Sequence, residues 1–287
     1  LFRSAKDCVV SQLLRATAQR WWAQGRRVEV IEVVRTQGSV PRELGTRMLV
    51  CHDETAGTIG GGHLEWQALQ RARLRLQLAQ PDEEEQSLAL GPSLGQCCGG
   101  ALTLRTFALN EKALAQWPVT APRFQLDLYG AGHVGRAVVR SLQDIDAQVR
   151  WLDTRHEALS ESAVCALHDP ERALQLQTIW SDSLVDEVAD APIGSFYLVM
   201  THSHDLDLAL SERILRRGDH GFFGLIGSST KRARFERRLR DKGLQEASLA
   251  TLTCPIGLPD IQGKEPAVIA ASVVAQLLSR SAPPESR

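Results

Sequence analysis

The chain has 287 residues, 43% of them hydrophobic and 23% charged, and its 33 basic and 34 acidic side chains leave a formal net charge of -1. This composition excludes a disordered or fibrous chain, and the charge provides no global attraction to nucleic acid or to an anionic membrane. The length suits two ordinary domains, each able to bury a core of its own.

The longest apolar run, 266–278, is too short to span a bilayer and fits a buried helix. The opening LFRSAKDCVV lacks the charged and apolar regions of a signal peptide. The six cysteines, at 8, 51, 97, 98, 165 and 254, make no secretory disulfide framework, so the expectation is a cytoplasmic protein with reduced thiols.

Taken in order, Val9, Val10, Leu13, Leu14, Ala18 and Trp21 recur at helical spacing and predict a helix over 6–24 that Gly25 stops. RVEVIEVVR at 27–35 and a second segment at 46–51 predict strands. Between them TQGSVPREL is a loop bearing Gly38, Ser39, Pro41 and Arg42. GTIGGGHLE at 57–65 leads into a helix through Leu78. Its Gly60-Gly61-Gly62 turn places free N–H groups at the positive end of the helix, where an anion can sit; a plain strand-to-helix turn explains the glycines equally well. PDEEEQ at 81–86 reads as a solvated loop.

Strands at 86–90 and 101–107 enclose LGPSLGQCCGG at 90–100. Glycines on both sides of Cys97 and Cys98 let that backbone approach another group closely; two small buried hydrophobes in a tight turn are the alternative. The three glycine-rich loops follow different strands and are placed to converge at one sheet edge. Convergence puts Ser39, Arg42, Gly60, Gly61, Gly62, Glu65, Cys97 and Cys98 on one pocket wall.

The first domain is expected to be a small α/β unit over 1–109. The proline-bearing stretch 110–123 reads as a linker, and 124–287 as a Rossmann-type doubly wound parallel sheet. A strand at 124–129 runs into GAGHVG at 130–135, a helix to about 142, a strand at 148–152 and then Asp153. This is the full context of a dinucleotide fingerprint: Gly130 for the tight turn, Gly132 for the approach of a pyrophosphate, Gly135 for helix packing and Asp153 for ribose hydroxyls. The same glycines also serve an empty βα unit.

A strand at 195–200 ends in THSHDLD. There His202 and His204, with Asp205 and Asp207, have the chemistry for a divalent metal or a proton transfer. The alternative is a helix cap at Ser203 or Asp205, with both histidines in solvent. A strand at 221–227 precedes a helix that Ser228 or Ser229 caps, which carries Lys231, Arg232, Arg234, Arg237 and Arg238. Such a basic face meets an anion or an acidic partner, or is simply solvated. CPIGLP, an apolar helix and the tail SAPPESR complete the chain; the tail reads as disordered.

Seven stretches in this order, GSVPRELGTRMLV, GTIGGGHLE, LGPSLGQCCGG, YGAGHVGRA with WLDTR, THSHDLD, GLIGSSTKRARF and CPIGLPDIQGKEPAVIAASVVAQLL, resemble the XdhC/CoxI family of accessory proteins for xanthine dehydrogenase and related molybdenum hydroxylases. The resemblance covers nearly the whole chain, without departure inside the quoted stretches. It implies a non-enzymatic chaperone that binds the molybdenum cofactor, in its molybdopterin or a dinucleotide form. Such a chaperone protects the cofactor while a cysteine desulfurase sulfurates it, delivers it to the apo-dehydrogenase and works as a homodimer.

The cofactor-facing set that goes with this is Cys97, Cys98, Gln96, Gly60, Gly61, Gly62, Glu65, Arg42, Gly130, Gly132, His133, Gly135, Asp153, Ser228 and Lys231. Cys97 and Cys98 would face the molybdenum, with His202 and His204 as a further metal pair. The Rossmann turn then holds the pterin phosphate, a separate nucleotide such as NAD(P), or nothing. The alternatives are an NAD(P)-dependent oxidoreductase built on the fingerprint and a metal-dependent enzyme built on His202 to Asp207.

Overall fold

The computed structural model describes residues 12–78, 82–90, 99–117, 121–169 and 172–281. The chain divides into two compact units between residues 120 and 121.

The first unit is an antiparallel sheet with helices on both faces. Its elements are α1 (Gln12–Ala23), β1 (Glu29–Gln37), β2 (Arg47–Val50), β3 (Thr55–Gly57), α2 (Gly62–Leu78), β4 (Glu84–Ala89), β5 (Ala101–Ala108) and α3 (Glu111–Ala115). The strand order is β3-β2-β1-β5-β4, with every pairing antiparallel. Val28, Val30 and Leu49 pack under α1 with Leu14, Ala18 and Trp21. Ile31, Val33 and Met48 pack on the other side against Leu64, Ala68 and Ala72 of α2.

Burial on both faces of the first half of β1 suits its Val30, Ile31 and Val33. It also forces its two acidic residues to find partners. Glu29 pairs with Arg75 of α2 at 3.0 Å, and Glu32 pairs with Arg47 at 3.0 Å and with Arg105 at 2.5 Å.

Two expectations change here. The acidic stretch read as a solvated loop contributes Glu84 and Glu85 to β4, so the strand expected from residue 86 starts two residues earlier, as an edge strand in which these two pair with Arg71 and Arg35. Alternation of intermediate and exposed residues marks this strand, and the run of charge masked its first two residues in the sequence. The stretch read as linker contains α3, capped by Asn110, whose side chain accepts from Ala113 N at 2.8 Å.

The second unit is a parallel sheet. Its elements are β6 (Gln125–Tyr129), α4 (His133–Ser141), β7 (Gln148–Asp153), α5 (Glu161–Cys165), β8 (Gln175–Trp180), β9 (Phe196–Val199), α6 (His204–Arg217), β10 (Phe222–Leu225), α7 (Ser229–Asp241), α8 (Glu246–Leu249), β11 (Leu252–Thr253) and α9 (Pro266–Arg280). The order β11-β10-β9-β6-β7-β8, with all pairings parallel, is the doubly wound arrangement that reverses between β6 and β9.

One face packs Leu126, Leu128, Trp151 and Leu198 against α4 and α9. The other packs Tyr129, Tyr197, Val199 and Phe223 against α6 and α7. Full burial of the central strands gives their near-continuous apolar runs, which is why YLVM and FFGLI were readable. Among the described residues no helix is long and apolar enough to cross a membrane.

Candidate functional site

In the first unit the glycine loops meet. A Cβ on Gly38 would lie 3.2 Å from Gly100 Cα, and one on Gly60 would lie 2.8 Å from the Pro41 ring. Gly60 has φ +124, a backbone state that L side chains rarely adopt, so the contact with Pro41 and the turn both require glycine. Arg42 is exposed beside it, its Cγ 3.7 Å from the Gly60 Cβ position, and has no ion-pair partner among the described residues. The loops bearing Ser39, Arg42, Gly60 and Gly100 therefore form one cluster. Cys97, Cys98 and Gln96 lie outside the described residues, immediately before Gly99 and Gly100.

The expected anion site at the start of α2 takes another form. Glu65 folds back, and its Oε2 accepts from Thr58 Oγ1 at 2.5 Å, Ile59 N at 3.0 Å and Gly61 N at 3.1 Å. Gly60 N donates to Thr58 Oγ1 at 3.2 Å. The nest that was expected to cradle a phosphate is thus filled by the chain's own carboxylate, which gains charge-assisted bonds at the positive helix end. Glu65 serves as the internal anion of the loop.

In the second unit the fingerprint glycines take the positions that their spacing requires. Gly130 has φ +117, and a Cβ there would run into Met200 O at the end of β9, across the point where strand order reverses. A Cβ on Gly135 would collide with Gly130 O, so helix and turn pack as closely as backbone allows. Gly132 differs: a Cβ there meets nothing within 4 Å. Gly132 is the N-cap of α4, whose first turn has no acidic residue and no side-chain cap, and His133 beside it is exposed.

Asp153 departs from its expected role. Its Oδ2 accepts from Ala131 N at 2.6 Å and Arg155 Nη2 at 2.8 Å; its Oδ1 accepts from Arg155 N and Nε, both at 2.9 Å. Burial pushes this carboxyl up, but the Arg155 side chain and the two backbone donors outweigh it and hold Asp153 below the ordinary range. Four donors occupy the roughly four lone-pair sites of a carboxylate. The residue expected to read ribose hydroxyls clasps the glycine turn to Arg155 instead. Sequence reasoning missed Arg155; its signal was a basic residue two positions after the acid in WLDTR.

The THSHDLD loop is organised from within. Asp207 is 1% exposed, and its Oδ1 accepts from Thr201 Oγ1 at 2.7 Å and Thr201 N at 3.1 Å. Lys231 Nζ donates to Asp207 Oδ2 at 2.6 Å and to Ile226 O at 2.8 Å. Lys231 thus ties the loop after β9 to the end of β10. Ser203 caps α6, accepting from Leu206 N at 3.4 Å, and His202 and His204 are exposed.

Among the described residues no group of three or more His, Cys, Asp or Glu gathers to hold a metal, and the structure does not assemble the histidine pair into a ligand set. Ser228 caps α7, accepting from Lys231 N at 3.3 Å. Cys254, buried beside Lys231, has its thiol pushed up by burial, against the pull of Lys231 and Arg232.

Fold and fingerprint together define a two-unit protein with a Rossmann domain whose glycine turn is intact. The family pattern described as XdhC Rossmann domain matches residues 126–277, and the pattern described as XdhC and CoxI family matches residues 21–85. The chain belongs to the XdhC and CoxI family. An uncharacterized Escherichia coli K12 protein, YqeB, is 28% identical over 252 residues, which are 86% of this chain and 42% of that protein. The chain thus spans about two fifths of that relative's length. A crystal structure from Bacillus halodurans, described as a xanthine dehydrogenase, superposes with a TM-score of 0.72 at 19% identity, covering 95% of this chain and 97% of that one. That likeness concerns the fold.

Proposed function

We propose that the chain is an accessory protein in the maturation of a xanthine dehydrogenase-type molybdenum hydroxylase. It holds the molybdenum cofactor, protects it during sulfuration by a cysteine desulfurase and delivers it to the apoenzyme, as a cytoplasmic homodimer without turnover of its own. Family membership supports the general role. The observation that supports the cofactor-binding part is the meeting of Gly38, Gly60, Pro41 and Gly100 in one cluster, Gly100 being two residues after Cys98 in the chain.

Soft thiolates suit molybdenum in its dithiolene environment, so Cys97 or Cys98 faces the metal. The phosphate of the pterin meets Arg42, whose cation is exposed at the cluster, because Glu65 already fills the α2 nest. A carrier has to release its cargo, which calls for moderate affinity and reversible contacts.

Loaded with molybdenum cofactor, the purified protein is expected to retain molybdenum through gel filtration. Cys97→Ala or Cys98→Ala should weaken retention, and Arg42→Ala should weaken it less. Normal retention in both single cysteine variants and in the double variant contradicts the thiol role.

A further inference from the structure

We propose that the carboxyl edge of β7 and β8 carries a second binding subsite, with Trp180 as a stacking platform and Arg155 as the anion contact, suited to a nucleotide whose ribose is phosphorylated. The subsite lies wholly within the second unit and goes beyond the cofactor-carrier reading.

Three observations lead there. First, Asp153 and Trp180 are register partners on neighbouring parallel strands, so the end of the fingerprint and the indole are adjacent. Second, Trp180 is oriented but uncovered. Its Nε1 donates to Thr154 O at 3.0 Å, and His156 stands edge-on at a centroid distance of 5.7 Å and an angle of 83°. Yet the residue is 50% exposed, where an isolated strand-end tryptophan gains nothing from remaining in water. A fixed, open indole beside a glycine turn is the kind of surface on which a flat heteroaromatic ring stacks.

Third, the neighbouring carboxylate cannot read a sugar diol. Both Asp153 oxygens are saturated by Ala131 and Arg155 donors. Arg155 spends Nε and Nη2 on that clasp; its Nη1 has no acceptor among the described residues, and its side chain is 39% exposed. A ligand sugar at this edge therefore meets a guanidinium edge instead of a free carboxylate. In dinucleotide folds an acid at this position selects a free ribose and an arginine accommodates a phosphorylated one. The guanidinium fork matches phosphate geometry, and its partner Asp153 keeps it in place.

The test is calorimetric titration of the full chain with 2′,5′-ADP, 5′-AMP and inorganic phosphate. 2′,5′-ADP is expected to bind at least about tenfold more tightly than 5′-AMP, and Trp180→Ala to weaken it roughly tenfold. Arg155→Gln, which leaves a side-chain donor near Asp153, should abolish the preference between the two nucleotides. Equal binding of the two nucleotides, equal binding of inorganic phosphate, no binding of 2′,5′-ADP, or an unchanged affinity in Trp180→Ala each overturns the proposal. Trp180 lies exposed on an edge strand, so its variant remains informative even where Arg155 variants fold poorly. Molybdenum retention depends on other residues, so either reading can fail while the other stands.

Discussion

Two glycine turns, each leading from a strand into a helix, end in different states. The turn before α2 is closed by Glu65, whose carboxylate takes the N–H groups of Ile59 and Gly61. The turn before α4 has no acidic residue in its first helical turn and leaves the space over Gly132 open. The difference teaches that a glycine run at a helix start does not by itself make an anion site. What decides is whether the first helical turn supplies its own anion, as α2 does with Glu65 and α4 does not.

The largest expected effect comes from breaking the close packing of the open turn. Gly135→Val drives a side chain into Gly130 O and should cost more than about 3 kcal/mol, read from urea unfolding of the full chain. A cost below about 1 kcal/mol would mean that helix and turn can separate freely.

Acid titration extends the comparison to the carboxylates of the same sheet. Asp153 is held low, so the stability it lends is present above the ordinary carboxylate range and is lost as pH falls through its folded value. Asp127 behaves oppositely. Burial pushes it up to about 6, with Arg150 and Tyr129 pulling down. The folded state keeps its proton where the unfolded chain has lost it, so its contribution to stability declines as pH rises from about 4 to 6 and levels off above that. The whole contribution is on the order of 3 kcal/mol at most. Asp127→Asn should flatten that segment of a stability-against-pH curve, and an unchanged slope would show that Asp127 does not titrate there.

Glu65→Ala addresses the closed turn directly. It strips two backbone N–H groups and the Thr58 hydroxyl of their acceptor and should cost about 1–3 kcal/mol. It should also make the melting temperature rise with added phosphate more steeply than in the wild type, because the nest is then open. Identical phosphate responses would mean that the nest collapses when its carboxylate is removed. The smallest effect belongs to Gly132→Ala, which meets nothing within 4 Å and should change stability by less than about 0.5 kcal/mol.

The parallel sheet of the second unit was legible because its central strands are buried on both faces and because GAGHVG sits between two of them. The spacing of Gly130, Gly132 and Gly135 carried their separate roles. β8 and β11 were not singled out: β8 is an edge strand with exposed Gln177 and Thr178, and β11 has two residues, so neither leaves a hydrophobic period. In the first unit, Glu29 and Glu32 lie on opposite faces of β1 and both are buried in ion pairs, which the strand pattern alone does not show because their partners Arg75 and Arg105 lie far along the chain. The same limit applies at the sites. Residue type showed that Asp153 and Glu65 have the chemistry to bind a ligand or a donor, but only the folded backbone shows that Arg155, Ala131, Ile59 and Gly61 already occupy them.

The carrier role itself is tested most directly by the molybdenum and pterin content of the protein isolated from a host that makes the cofactor, wild type beside the Cys97→Ala, Cys98→Ala double variant. The account predicts molybdenum and pterin in fixed proportion on the wild type and their loss from the double variant with its fold intact. A wild-type protein free of both, or a double variant that carries as much as the wild type, would contradict it.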